Sequence, residues 1–128
     1  MVIFDEADRV LLVRHSYRKQ DEWHVPTGGV GAAEDIEAAA RRELREEVGL
    51  APPRLIEAHN EVVPMHGASN LVTVFAARTT ERPRPDDREI AEARFFDTTG
   101  LPAMTPPWAR HYVEKGRLAL EQSSRAAI

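Results

Sequence analysis

With 128 residues, 42% of them hydrophobic, the chain is long enough to bury the core of one domain and too short for two. Its 17 basic and 21 acidic residues leave a net charge of −4, which argues against bulk electrostatic binding of a nucleic-acid polymer or an anionic membrane. There is no cysteine, so disulfides and thiolate metal sites are excluded, and no apolar run approaches the roughly 18 residues of a membrane span. Met1 to Asp5 lacks the basic start and long apolar core of a signal peptide, so a cytoplasmic location is the default expectation.

Met1 to Phe4 and Arg9 to Val13 are short β-rich runs joined by Asp5-Glu6-Ala7-Asp8, a polar turn suited to a hairpin. After a polar loop from Ser16 to Glu22, Trp23 to Pro26 reads as a brief strand that enters a loop at Thr27-Gly28-Gly29. A helix follows. Asp35 is its expected N-cap, Ile36, Ala40, Leu44 and Val48 form an i, i+4 apolar stripe, and Gly49 is its expected stop before Pro52 and Pro53. Arg54 to Val63 and Asn70 to Arg78 read as a long hairpin turned by residues 64 to 69. Thr79 to Arg88 reads as an exposed loop and Ala93 to Asp97 as a strand. Thr105 and Pro106 are the expected N-cap and first turn of a second helix running to about Gln122, with Gly116 as a potential kink. Residues 1–128 are thus expected to form a single domain with a frayed tail at 123–128. The order β, β, helix, β, β, β, helix indicates a mixed sheet with helices packed on it.

The first helix carries charges that a helix does not want at that end. Taking Glu43 as zero at about 100° per residue, Glu47 lies near 40° and Glu46 near −60°, so three carboxylates share one face within about a turn. Glu43 and Glu47 repel each other by a few tenths of a kcal/mol, and the helix dipole disfavours anions near Gly49 by roughly 0.3–1 kcal/mol each. A cation reverses both penalties, and an oxygen-rich cluster suits a hard ion such as Mg²⁺ or Mn²⁺. The competing reading is a solvated charged face neutralised by Arg41, Arg42 and Arg45. Arg42 reaches Glu46 at i+4, but it cannot neutralise the whole trio.

The longer pattern, Gly28-x5-Glu34-x7-Arg42-Glu43-Leu44-x-Glu46-Glu47-x-Gly49-Leu50, resembles the complete Nudix box, with all nine specified positions filled. A chance match at one start position is on the order of one in a billion from average residue usage. The resemblance implies an α/β (α+β) fold of the Nudix type, an α/β/α sandwich with a mixed sheet between helices. It also implies a hydrolase that splits a pyrophosphate bond in a nucleoside diphosphate linked to another group, with Mg²⁺ or in its place Mn²⁺ as cofactor. By that resemblance Glu43, Glu46 and Glu47 bind the metal, joined by the backbone carbonyl at Thr27. Glu34 braces the loop against the helix, and Arg42 orients a box carboxylate. The general base is Glu47 or, from a loop outside the box, Glu89, with Glu92 as a weaker substitute. Thr27 and Ala33 stand where many relatives have glycine, and the first strand is shorter than is usual in the family.

Substrate is less legible. Arg14, Tyr17 and Arg18, with His15 and Lys19 beside them, sit between the second strand and the box loop, where they are candidates to bind phosphates or stack a base. Trp23 offers a further ring or a core residue. Pro64 lies about where the ADP-ribose pyrophosphatase subgroup carries a proline, and no tyrosine stands where the diadenosine polyphosphate hydrolase subgroup places one. His66 and His111 read as surface or packing residues. The expected partner is a small-molecule nucleotide, with neither a nucleic-acid polymer nor a membrane, and Nudix relatives often form homodimers. The alternative reading is a non-catalytic Nudix-fold sensor that binds a nucleotide.

Overall fold

A computed structural model describes residues 1–16 and 21–126 of the chain. The elements are β1 (Val2–Phe4), β2 (Val10–His15), β3 (Trp23–His24), α1 (Ile36–Val48), β4 (Ile56–Met65), β5 (Ala68–Arg78), β6 (Ile90–Phe96) and α2 (Pro107–Ala126). β2 pairs with β6 along one edge and with β1 and then β3 along the other, and β1 continues the sheet to β5 and β4. The β1–β5 pairing is parallel and the remaining pairings are antiparallel, so the sheet is mixed, as expected.

Alternation along the strands sorts the core into two layers. Ile3, Leu11, Val13, Phe75 and Ala77 pack against Ala40, Leu44 and Val48 of α1. Val2, Phe4, Val10, Leu12, Val74 and Ala76 pack against Tyr112, Val113 and Leu120 of α2. One helix therefore covers each face, giving the α/β/α sandwich. Leu44 and Val48 are fully buried, and each contributes about 1.5–3 kcal/mol of transfer free energy that anchors the carboxylate-bearing helix.

α1 begins and ends where its sequence signals it. The Asp35 carboxylate accepts the Ala38 N–H at 3.1 Å, and Gly49 turns left-handed at φ 67°. α2 starts differently. Thr105 and Pro106 do not form a side-chain cap: the Thr105 hydroxyl is buried with no hydrogen-bond partner among the described residues, and the Pro106 carbonyl accepts from Ala109 and Arg110. Pro107 removes one of the two N–H groups, those of the second and third helical residues, that a Thr105 cap would serve. Pro107 takes the first helical position instead. The helix runs unbroken through Gly116 and on to Ala126, beyond the expected end at Gln122. Glu121 accepts from both Arg117 and Arg125 and supports this last stretch.

The β4–β5 hairpin is also tighter than its sequence suggests. Pairing continues to Met65 and Ala68, leaving only His66 and Gly67 in the turn, both left-handed at φ 51° and 77°. β6 begins at Ile90, three residues before the expected Ala93, because it follows β2 past a bulge to His15. No helix among the described residues is long and apolar enough to cross a membrane.

Candidate active site

The box loop and α1 are tied together by one arginine. Arg42 donates Nε to Glu34 Oε2 at 2.7 Å and Nη2 to Glu34 Oε1 at 2.9 Å, a two-pronged ion pair. The same guanidinium reaches Glu43 at 3.0 Å, Glu46 at 3.3 Å and the Gly29 carbonyl at 3.2 Å. Glu34 in turn accepts the Gly31 N–H at 3.0 Å. These bonds hold the Glu34 carboxyl down at about 2, with Arg42 the leading cause and the Gly31 N–H next, and they raise Arg42 further still. Loop and helix are therefore locked in register by charge. Neither Thr27 nor Ala33 is among the described residues with a left-handed backbone, so the loss of two frequent glycines leaves no strain there.

Arg42 does not serve Glu47. Arg41 is turned away to Glu37 and the Pro52 carbonyl. Glu47 is buried, and its Oε2 has no hydrogen-bond partner among the described residues. Burial pushes its carboxyl up to about 8, helped by the charge of Glu43 and its hydrogen-bonding proximity, and by the charges of Glu89 and Asp86. Four acids thus converge where the dipole of α1 is negative. The structural cost of such a group is high, and a divalent cation removes it.

Asp86 is the member that sequence reading missed. The segment after β5 folds back onto the end of α1: Arg84 N–H donates to the Val48 carbonyl at 2.8 Å and Asp86 N–H to the Glu47 carbonyl at 3.1 Å. Asp86 Oδ1 then accepts the N–H groups of Arg88, Glu89 and Ile90. Burial works against the charge on Asp86, but these backbone donors outweigh it and its pKa is lowered. The signal available in sequence was a Pro-Asp-Asp turn; its docking on α1 is a tertiary event. Glu89 is exposed on the same loop, and its carbonyl accepts the Ser16 N–H at 3.0 Å.

Gly28 explains the approach of loop to helix. A Cβ there would lie 2.2 Å from Glu43 Cγ and 2.4 Å from Cδ. Thr27, Gly28 and Glu43 line one side of a cleft of about 680 Å³, whose other walls include Phe75, Trp108 and Tyr112.

Of the residues expected to bind substrate, Arg14 is on β2, donating to Glu92 of β6 at 2.7 and 3.0 Å and standing 3.5 Å from Asp21. Glu92 is thereby drawn to Arg14. Tyr17 and Arg18 lie outside the described residues. Trp23 packs edge-on against Phe96 at 5.0 Å, with Arg94 over both rings, and belongs to the core beneath α2.

The NUDIX domain model matches residues 1–116. An 8-oxo-dGDP phosphatase of Mus musculus is 31% identical over 137 residues, a match that covers 99% of this chain and 40% of that protein. An RNA pyrophosphohydrolase of Acidiphilium cryptum is 27% identical over 134 residues, covering 88% of this chain and 82% of its own. The chain thus spans about 40% of the length of the mouse relative. Among solved structures, the NUDIX domain of Shewanella oneidensis NrtR complexed with ADP ribose superimposes with a TM-score of 0.76 over 93% of this chain and 84% of that one, at 18% identity. The E. coli dihydroneopterin triphosphate pyrophosphohydrolase does so with a TM-score of 0.74 over 89% of each chain, at 22% identity. At such identities the structural likeness is one of fold. With the matched region running from β1 through the box helix and into α2, the chain belongs to the NUDIX family.

Proposed function

We propose that the chain hydrolyses a pyrophosphate bond in a nucleoside diphosphate derivative, with Mg²⁺, or Mn²⁺ in its place, held by Glu43, Glu46, Glu47 and the Thr27 carbonyl. The observation that carries this reading is the buried, unpartnered Glu47 oxygen within a group of acids that Arg42 leaves incompletely neutralised. Such an arrangement fits an ion with oxygen ligands. When bound, the ion supplies charge neutralisation at the diphosphate and a lowered pKa for the attacking water.

The protein's own groups divide the remaining work. Arg42 and Glu34 keep the loop and the carboxylate face in fixed relation, which positions Thr27 and Glu43 together at the edge of the cleft. Glu47 and Glu89 are the two groups assigned to take the proton of the attacking water. Glu89 is the better placed of the two, because it is exposed on a loop docked at the helix end while Glu47 is assigned to the metal. The cleft walls at Phe75, Trp108 and Tyr112 suit a base or another flat apolar group. Arg14, Tyr17 and Arg18 are assigned to the substrate's phosphates, Arg14 by exchanging Glu92 for a phosphate oxygen.

Relatives are named for 8-oxo-dGDP, RNA and NAD-capped RNA, which differ widely in size. Two of these names refer to polymers, so the range to be tested is wider than free nucleotides. The test is product identification with Mg²⁺ against nucleoside di- and triphosphates, ADP-ribose, nucleotide sugars, dinucleoside polyphosphates, and 5′-triphosphorylated and NAD-capped oligonucleotides. Release of a monophosphate and a second phosphorylated product or orthophosphate from one class supports the reading. Tight binding of a nucleotide with no turnover under Mg²⁺ or Mn²⁺ moves the chain to the sensor reading.

A further inference from the structure

The second helix and the long hairpin bring together three groups that neither the box nor the cleft uses. His59 and Glu61 stand two residues apart on β4, and His111 lies on α2 one residue before Tyr112. Nε2 of His59 is 3.4 Å and Nε2 of His111 is 3.9 Å from the same oxygen, Glu61 Oε2, and one donor atom from each residue lies within 4.8 Å of the others. The remaining Glu61 oxygen accepts the Tyr112 hydroxyl, which orients the carboxylate. His59 and Glu61 are half-buried and His111 is exposed, so the cluster has a wall and an open side.

We propose that His59, Glu61 and His111 form a second metal site, distinct from the carboxylate face of α1, that takes Zn²⁺ or a similar borderline transition ion. Two imidazole nitrogens and one carboxylate oxygen are the donor set such ions prefer, whereas Mg²⁺ selects oxygen. Bonds of about 2.0–2.1 Å in a tetrahedron require donors about 3.3 Å apart. The pair His59–Glu61 already meets this, and rotation of the exposed His111 ring brings the third donor in. His59 Nε2 lies within hydrogen-bonding distance of Glu61 Oε2, and with His111 Nε2 facing the same oxygen the group presents the mixed nitrogen and oxygen donor set of such an ion. The Tyr112 hydroxyl fills the role of the outer partner that fixes a ligating carboxylate. Water completes the coordination on the open side.

The position gives the site a consequence. A metal there clips β4 to α2, and both elements wall the cleft, through Val63 on one side and Trp108 and Tyr112 on the other. Occupancy would therefore stiffen the apolar wall of the cleft without touching the box carboxylates. This inference does not depend on the hydrolase reading.

The test uses the full chain, freed of metal by chelation, with Glu46→Gln as background to suppress binding at α1. Zn²⁺ is titrated in competition with a chromophoric chelator, and Co²⁺ is followed by its visible absorption. The expected result is one equivalent bound in Glu46→Gln, with a four-coordinate Co²⁺ spectrum and a Zn²⁺-dependent rise in melting temperature. His111→Ala in that background should weaken Zn²⁺ binding by at least about tenfold and abolish the rise, and Tyr112→Phe should weaken it by roughly tenfold. His111 is exposed, so its replacement leaves the metal-free melting temperature unchanged, and it decides the matter even where His59→Ala fails to fold. Equal Zn²⁺ affinity with and without His111, or loss of all Zn²⁺ binding in Glu46→Gln, overturns the proposal.

Discussion

Glu47 is the residue at which the stability of the fold and its proposed chemistry pull in opposite directions. Its carboxyl is pushed up from 4.5 to about 8, first by burial and then by Glu43, Glu89 and Asp86. Because the folded-state value is raised, its contribution to stability is fully present below about pH 4.5 and is lost as pH rises through about 8. In chelator, Glu47→Gln should therefore melt on the order of 10 °C or more above the parent at pH 9 and close to it at pH 5, since the penalty builds as pH rises from the unfolded to the folded value. A difference that does not change with pH would show that the buried charge is not the cause. Mg²⁺ should raise the parent's melting temperature at pH 9 and have a weaker effect on the variant. Glu34 has the opposite sign. Its lowered pKa, due first to Arg42 and then to the Gly31 N–H, gives stability that is present above about pH 4.5 and lost as pH falls through about 2. Arg42→Lys keeps the charge but cannot make the two-pronged bond to Glu34 while reaching Glu43. It should lower kcat by about ten- to a hundredfold and lower the melting temperature modestly at neutral pH; unchanged kcat would remove Arg42 from the positioning role.

At the scale of elements, two glycines set how closely neighbouring pieces approach. Gly28 is pressed against Glu43 Cγ and Cδ, and the Glu43 carboxylate is held by Arg42. Gly28→Ala should thus displace Glu43, lower the melting temperature and weaken Mg²⁺ binding by roughly tenfold, measured by titration. Gly116 lies against Val2, where an added Cβ would meet Val2 Cβ and Cγ1 at 2.6 Å. Val2 is buried and β-branched and cannot yield, so Gly116→Ala should cost about 1–2 kcal/mol after its gain in helix propensity, a fall of about 3–8 °C. A rise in melting temperature would mean that α2 has room against β1. The helix α1 was legible because its start, stripe and stop are all local: Asp35, the i, i+4 apolar residues and Gly49. The start of α2 was not, because Thr105 carries a cap signal that the prolines at 106 and 107 cancel. β6 was read short because its first residues are placed by β2 and by the turn around Asp86 rather than by their own pattern.

Across the whole molecule, what sequence revealed of the site is what one segment of chain contains. Glu34, Arg42, Glu43, Glu46 and Glu47 fall within 23 residues, and spacing alone placed the last three on one helix face. Groups brought in by the fold were harder to see. Asp86 reaches the site only because the loop after β5 returns to the end of α1. The pairing of Arg14 with Glu92 depends on the β2–β6 register, and the His59–Glu61–His111 group depends on α2 lying over β4. The central claim is that the carboxylate face of α1 is a metal site that drives hydrolysis of a pyrophosphate bond. Its most direct test is the hydrolysis rate of the parent and of Glu46→Gln on the best substrate, measured across a series of Mg²⁺ concentrations. The account predicts turnover that requires Mg²⁺ in the parent and falls by about a hundredfold or more in the variant, with the fold of both intact. Turnover that is independent of Mg²⁺, or undiminished in Glu46→Gln, would contradict it.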